Sequence, residues 1–215
     1  MSAASRAVFA IFCFCVCAQA QTRTLAVYSD STRNLDSSAA HALQTELQRV
    51  LTPASIDITW IQPSKDEHAG PEVQLAVVGT FDGDCSVDNL SKPAGRAIRT
   101  RTLAETSVSS GHVLPYFRVD CNQVIRTLSP ALRSVSVPMR EYILGRALAR
   151  AIAHEIYHIV AQTTDHERSG IAKAALTLSD LSSTSFNFSS ETLRRMAAPP
   201  SPKTSGEVLA VLTRR

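Results

Sequence analysis

His154 and His158 stand four residues apart, with Glu155 between them, in the run HEIYH. On a helix of about 3.6 residues per turn that spacing puts both imidazoles on one face, one turn above the other, where both can reach a single ion. Glu155 then lies beside the pair, placed to act as a base on a water at that ion. On a helical wheel with His154 as origin, His158 lies at about 40°, with Ala147 and Ala151 at about 20° and 60°. Methyl groups therefore flank the histidine stripe and leave room for an ion and a substrate. Leu144, Leu148, Ile152, Ile156 and Ile159 form the adjoining apolar arc, and Arg146, Arg150 and Tyr157 fall on the far side. Glu155 falls inside the apolar arc, where an unpaired carboxylate is expensive unless it has a partner or a task.

Beyond His158 the chain reads IVAQTTDHERSGIAKA, which places His166 eight residues further on. A helix ending near Gln162, followed by a reversal through Thr163, Thr164 and Asp165, would return His166 to the ion. Three nitrogen ligands with a fourth position left for water is the arrangement of a catalytic zinc site. Asp165 and Glu167 are rival third ligands; zinc's preference for nitrogen or sulfur donors favours the imidazole.

The stretch HEIYHIVAQTTDHERSGI resembles the motif region of the metzincin clan of zinc peptidases, HExxHxxGxxH followed by a methionine-containing turn. It is more similar to secreted bacterial metzincin-like proteins with HExxH, a seven-residue spacer, His, and Gly-Ile-Met. The resemblance covers roughly Arg146 to Ala175. It implies that His154, His158 and His166 bind Zn2+, that Glu155 is the general base, and that the substrate is a peptide or protein. Three features depart from the family pattern. Ala161 and Gln162 stand where the spacer glycine is expected, Tyr157 replaces a small residue, and Ala172 replaces the methionine of Gly-Ile-Met.

The elements that must carry such a site can be read from the rest of the chain. Residues 1–20 have the pattern of a signal peptide: Arg6, an apolar run AVFAIFCFCVCA, and Ala18-Gln19-Ala20 as cleavage site. That run is too short for a bilayer span of about twenty residues, so the expectation is a secreted or periplasmic protein with no membrane span in the mature chain. The formal net charge of +3 falls by one with Arg6. So mild an excess, without a basic patch interleaved with aromatics, argues against nucleic acid as partner. Cys13, Cys15 and Cys17 leave with the signal, and Cys85 and Cys121 remain as an expected disulfide in an oxidising compartment. A monomer is expected.

The mature chain reads as one α/β (α+β) domain over residues 21–198, with a Pro/Ser-containing tail at 199–215. Thr24 to Tyr28, Ile56 to Ile61 and Gln74 to Thr80 are strands by their branched and aromatic content. Ser37 to Leu51 is an amphipathic crossover helix stopped by Pro53, so a mixed twisted sheet is expected. HVLPYFRV, within Ser107 to Val119, reads as the edge strand along the cleft, because Pro115 removes a ladder donor. Cys121 to Leu128 starts a short helix ended by Pro130, and Pro138 opens the long active-site helix. Ser189 to Ala197 is a final helix in a smaller C-terminal helical part. His41, His68 and His112 have no ligand spacing to anything, and Asp82, Asp84 and Asp88 lack the closing glutamate of a calcium loop.

The leading expectation is a secreted zinc metallopeptidase. The alternatives are a zinc-binding module without turnover, which the spacer and turn departures favour, and a carbohydrate- or envelope-binding protein in which HEIYH is incidental.

Overall fold

The computed structural model describes residues 22–29, 35–61, 73–89 and 102–198. The expected signal peptide, the loop with His68, the polar stretch at 90–101 and the C-terminal tail lie outside the described residues. Among the described residues five strands form one sheet: β1 (Arg23–Tyr28), β2 (Ile56–Ile61), β3 (Leu75–Asp82), β4 (Ala104–Ser109) and β5 (His112–Asp120). The order is β2-β1-β3-β5-β4, with only β4 antiparallel to its neighbour. Between β1 and β2 runs helix α1 (Ser37–Leu51), the crossover that a parallel pair requires. The expected mixed α/β sheet with its crossover helix is the observed fold.

Alternation fixes which side of the sheet is covered. In β3, Val77, Gly79 and Phe81 are buried while Ala76, Val78, Thr80 and Asp82 are exposed, so the core lies on one face. On that face pack α1, α2 (Cys121–Leu132) and the long α3 (Val137–Ala161); α4 (Leu178–Ser182) and α5 (Ser190–Ala197) follow. Leu148, Ile152 and Ile156 of α3 are fully buried, each contributing roughly 1.5–3 kcal/mol by removal from water. At Gly145, where α3 meets α1, an added Cβ would stand 2.2 Å from the Ala39 carbonyl oxygen, so glycine permits the close approach of the two backbones.

The far side of α3 faces protein, not solvent. Every residue from Leu144 to Ile159 is buried, Arg146, Arg150 and Tyr157 included. Arg150 is fully inaccessible and pairs with Glu46 of α1 at 2.8 Å. Charged residues at those wheel positions do not mark an outer surface here, because a carboxylate on the neighbouring helix compensates them.

Two expectations need correction. HVLPYFRV is not the edge strand: β5 lies between β3 and β4, and β4 is the edge. Pro115 is accommodated because the β4–β5 register shifts between Thr106 and Val108, and pairing to β3 begins only at Tyr116. The second concerns Pro130, which lies inside α2. So close to the C-terminal end, its missing N–H removes one bond and the helix continues to Leu132. Cys85 and Cys121 form the expected disulfide, Cα atoms 5.0 Å apart, tying the loop after β3 to the start of α2. Among the described residues no helix is long and apolar enough to cross a membrane.

Candidate metal centre

Helix α3 begins with Pro138 in its first turn and ends where Gln162 adopts the left-handed conformation, φ 48° and ψ 47°. A residue with a Cβ pays roughly 1–2 kcal/mol there. The Gln162 side chain offsets this, its Nε2 donating to the carbonyls of Ile159 at 2.7 Å and Val113 at 3.2 Å. The spacer thus turns without glycine. The reversal places the Thr163 carbonyl 2.8 Å from Nδ1 of His158.

The chain then forms a tight loop in which Glu167 N donates to Ala172 O at 2.9 Å and Gly170 has φ 72°. Ile171 and Ala172 are fully buried in it, and the Ile171 carbonyl lies 2.7 Å from Nδ1 of His154. A carbonyl only accepts, so both Nδ1 atoms carry the proton and both Nε2 atoms are bare. Those two Nε2 atoms are 3.1 Å apart. Two lone pairs then face one another, an arrangement compatible with a cation between them. His166 completes the cluster: ligand atoms of His154, His158 and His166 all lie within 4.8 Å of one another. The donor set, the fixed tautomers and the convergence fit a metal ion.

Burial, the largest influence, pushes His154 down to about 4, with His158 and His166 acting in the same direction and the Ile171 carbonyl opposing. His158 is lowered too, again chiefly by burial. Both rings are therefore neutral at physiological pH, the form that binds metal. Glu155, 5 % exposed, is pushed up to about 7 by burial, against a bond from Thr106 that lowers it. The Thr106 Oγ1 of β4 donates to Glu155 Oε2 at 2.5 Å. A buried carboxyl poised near neutrality beside the histidine cluster suits general acid and base work.

These groups open onto a cavity of about 380 Å³ lined by Thr106, Gln123, Thr127, Ala151 and Leu176 in addition to the site residues, within the usual size of ligand sites. The ring nitrogens of His154, His158 and His166 come together, and Glu155 lines the same cavity. The rival ligands Asp165 and Glu167 are outside the cluster. Glu167 instead pairs with Arg195 of α5 at 3.3 Å. Thr106 and the carbonyls of Ile171 and Thr163 were not foreseen; backbone carbonyls carry no mark in a sequence, and Thr106 sits 49 positions from its partner. No protein-family model, curated protein or solved structure matches this chain, and what its own geometry establishes is a cluster of three histidines compatible with a metal ion.

Proposed function

We propose that this chain is an exported zinc-dependent peptidase of metzincin type, hydrolysing peptide bonds with Glu155 as general base. The observation that carries the reading is the meeting of two bare Nε2 atoms 3.1 Å apart, with His166 beside them and a buried carboxyl on the same helix. Nitrogen donors alone suit zinc. His154, His158 and His166 would hold the zinc ion, which would supply Lewis acidity toward a carbonyl and a water.

The chain's own groups do the proton work. Glu155 takes a proton from water as the water oxygen bonds to the scissile carbonyl carbon, then passes that proton to the amine as the C–N bond breaks. Thr106 holds one oxygen of Glu155, leaving the other for the water. As the outermost strand, β4 lines the cavity with an edge to which an extended peptide can add.

The test is zinc stoichiometry on purified protein, with cleavage of a diverse peptide library by wild type and Glu155→Gln. One zinc per chain, retained in Glu155→Gln while cleavage disappears, is the expected result. Zinc with no cleavage by wild type would assign a binding module instead, and absence of zinc would end the reading.

A further inference from the structure

We infer that Asn187, gripped by Arg49, is a positioning residue for the metal ligand His154. This rests on the metal reading of the three-histidine cluster. Ile171, whose carbonyl sets the His154 tautomer, is held through its own N–H, which donates to Asn187 O at 3.1 Å. Gly170 is pressed against the same group: a Cβ there would stand 2.7 Å from Asn187 O and 3.0 Å from Ser189 N. The loop behind His154 therefore rests on the backbone at Asn187.

The Asn187 position is in turn imposed from α1. Arg49 Nη1 donates to Asn187 Oδ1 at 2.5 Å and Nη2 to Phe186 O at 3.0 Å. Arg49 is itself held by both oxygens of Glu46, at 2.8 and 2.9 Å. Glu46 also binds Arg150, which donates to the carbonyls of Asp180, Leu181 and Ser183. Arg146 takes the carbonyls of Ser183 and Thr184, both at 2.6 Å. One buried carboxylate thus contacts three guanidinium groups, and these hold the irregular segment that links α4 to α5. The path from Glu46 to His154 is continuous: Glu46, Arg49, Asn187, Ile171, His154. Partners that orient a ligating imidazole typically change metal affinity by about 10–100-fold.

The full chain is titrated with Zn2+ in competition with a chelator, and with Co2+ by visible absorption, for wild type, Asn187→Ala and Arg49→Lys. Val77→Ala, in the centre of the sheet, serves as a comparison variant, its thermal stability read alongside. The expected result is an approximately tenfold or larger weakening of Zn2+ binding in Asn187→Ala, with an altered Co2+ spectrum. Arg49→Lys, which keeps the charge and loses the fork, shows a smaller loss in the same direction. Val77→Ala keeps wild-type affinity and spectrum despite a fall in Tm. If the Asn187 and Arg49 variants bind both metals as wild type does, the inference fails while the metal centre stands. If wild type binds neither metal, the metal reading itself fails and this inference with it. Should Asn187→Ala not fold, Arg49→Lys decides alone by the same comparison.

Discussion

Thr106 Oγ1 on the edge strand lies 2.5 Å from Oε2 of Glu155 on the central helix, joining the strand that borders the cavity to the only acid buried beside the histidine cluster among the described residues. A hydrogen bond to a charged group contributes about 1.5–3 kcal/mol. Thr106→Val keeps the shape and removes the donor, so peptide cleavage should fall roughly tenfold to hundredfold in kcat/KM with zinc content unchanged. Thr106→Ser should retain most of the activity. Equal rates for Val and wild type would show that Glu155 needs no such anchor.

His166 is the exposed member of the cluster, while His154 and His158 are buried. Its loss should leave packing almost untouched and strike the metal directly. His166→Ala is expected to weaken zinc binding by more than the about 10–100-fold typical of an outer partner, with the Tm of metal-free protein within a few degrees of wild type. Asp165→Ala should bind zinc normally. Should Asp165→Ala lose the metal and His166→Ala keep it, the ligand set proposed above is wrong.

Glu46 gives a pH prediction. Burial tends to raise its carboxyl, but hydrogen bonds and charge from Arg49 and Arg150 prevail and hold it below its ordinary value of 4.5. A folded-state pKa below the unfolded one means stability that is present above about pH 4.5 and is lost as the pH falls through the folded value. The wild-type advantage in Tm over Glu46→Gln should therefore be largest at neutral pH and shrink below about 4.5. A gap of constant size from pH 6 to pH 3 would refute the assignment. At neutral pH the gap should be large, since removing one partner of a buried pair costs about 3–5 kcal/mol.

The Cys85–Cys121 bridge closes a loop of sequence separation 36. In the chain-entropy model such a closure stabilises by about 3–4 kcal/mol. Replacing both cysteines with serine should lower the urea midpoint accordingly, and reductant should shift wild type but not the variant. Insensitivity of wild type to reductant under unfolding conditions would mean that the bridge contributes little.

Much of this molecule is legible in local pattern. The 3.6-residue period places His154, His158 and Glu155 without knowledge of the fold, and the bounds of α1 and β2 follow from amphipathicity, Pro53 and branched residues. His166 follows from donor type and the resemblance of its spacing to a known motif. The strand at the cavity edge does not follow. Pro115 signals a break in strand pairing, but whether that break is an edge or a bulge depends on which strand lies outside it, and β4 takes that place.

What the sequence by itself determined is chemistry that one helix and one short return can deliver: two imidazoles, one carboxyl, one more imidazole, and two cysteines left to pair. What only the tertiary structure decided is everything that restrains those groups. Carbonyls at Ile171 and Thr163 set the ring tautomers, Thr106 holds Glu155, and Glu46 recruits Arg146 and Arg150, which the helical wheel places on the far side. The reason is physical. A side chain's reach along its own helix follows from a local period, whereas a buried polar group takes whichever partner the packing of distant segments brings within about 3 Å.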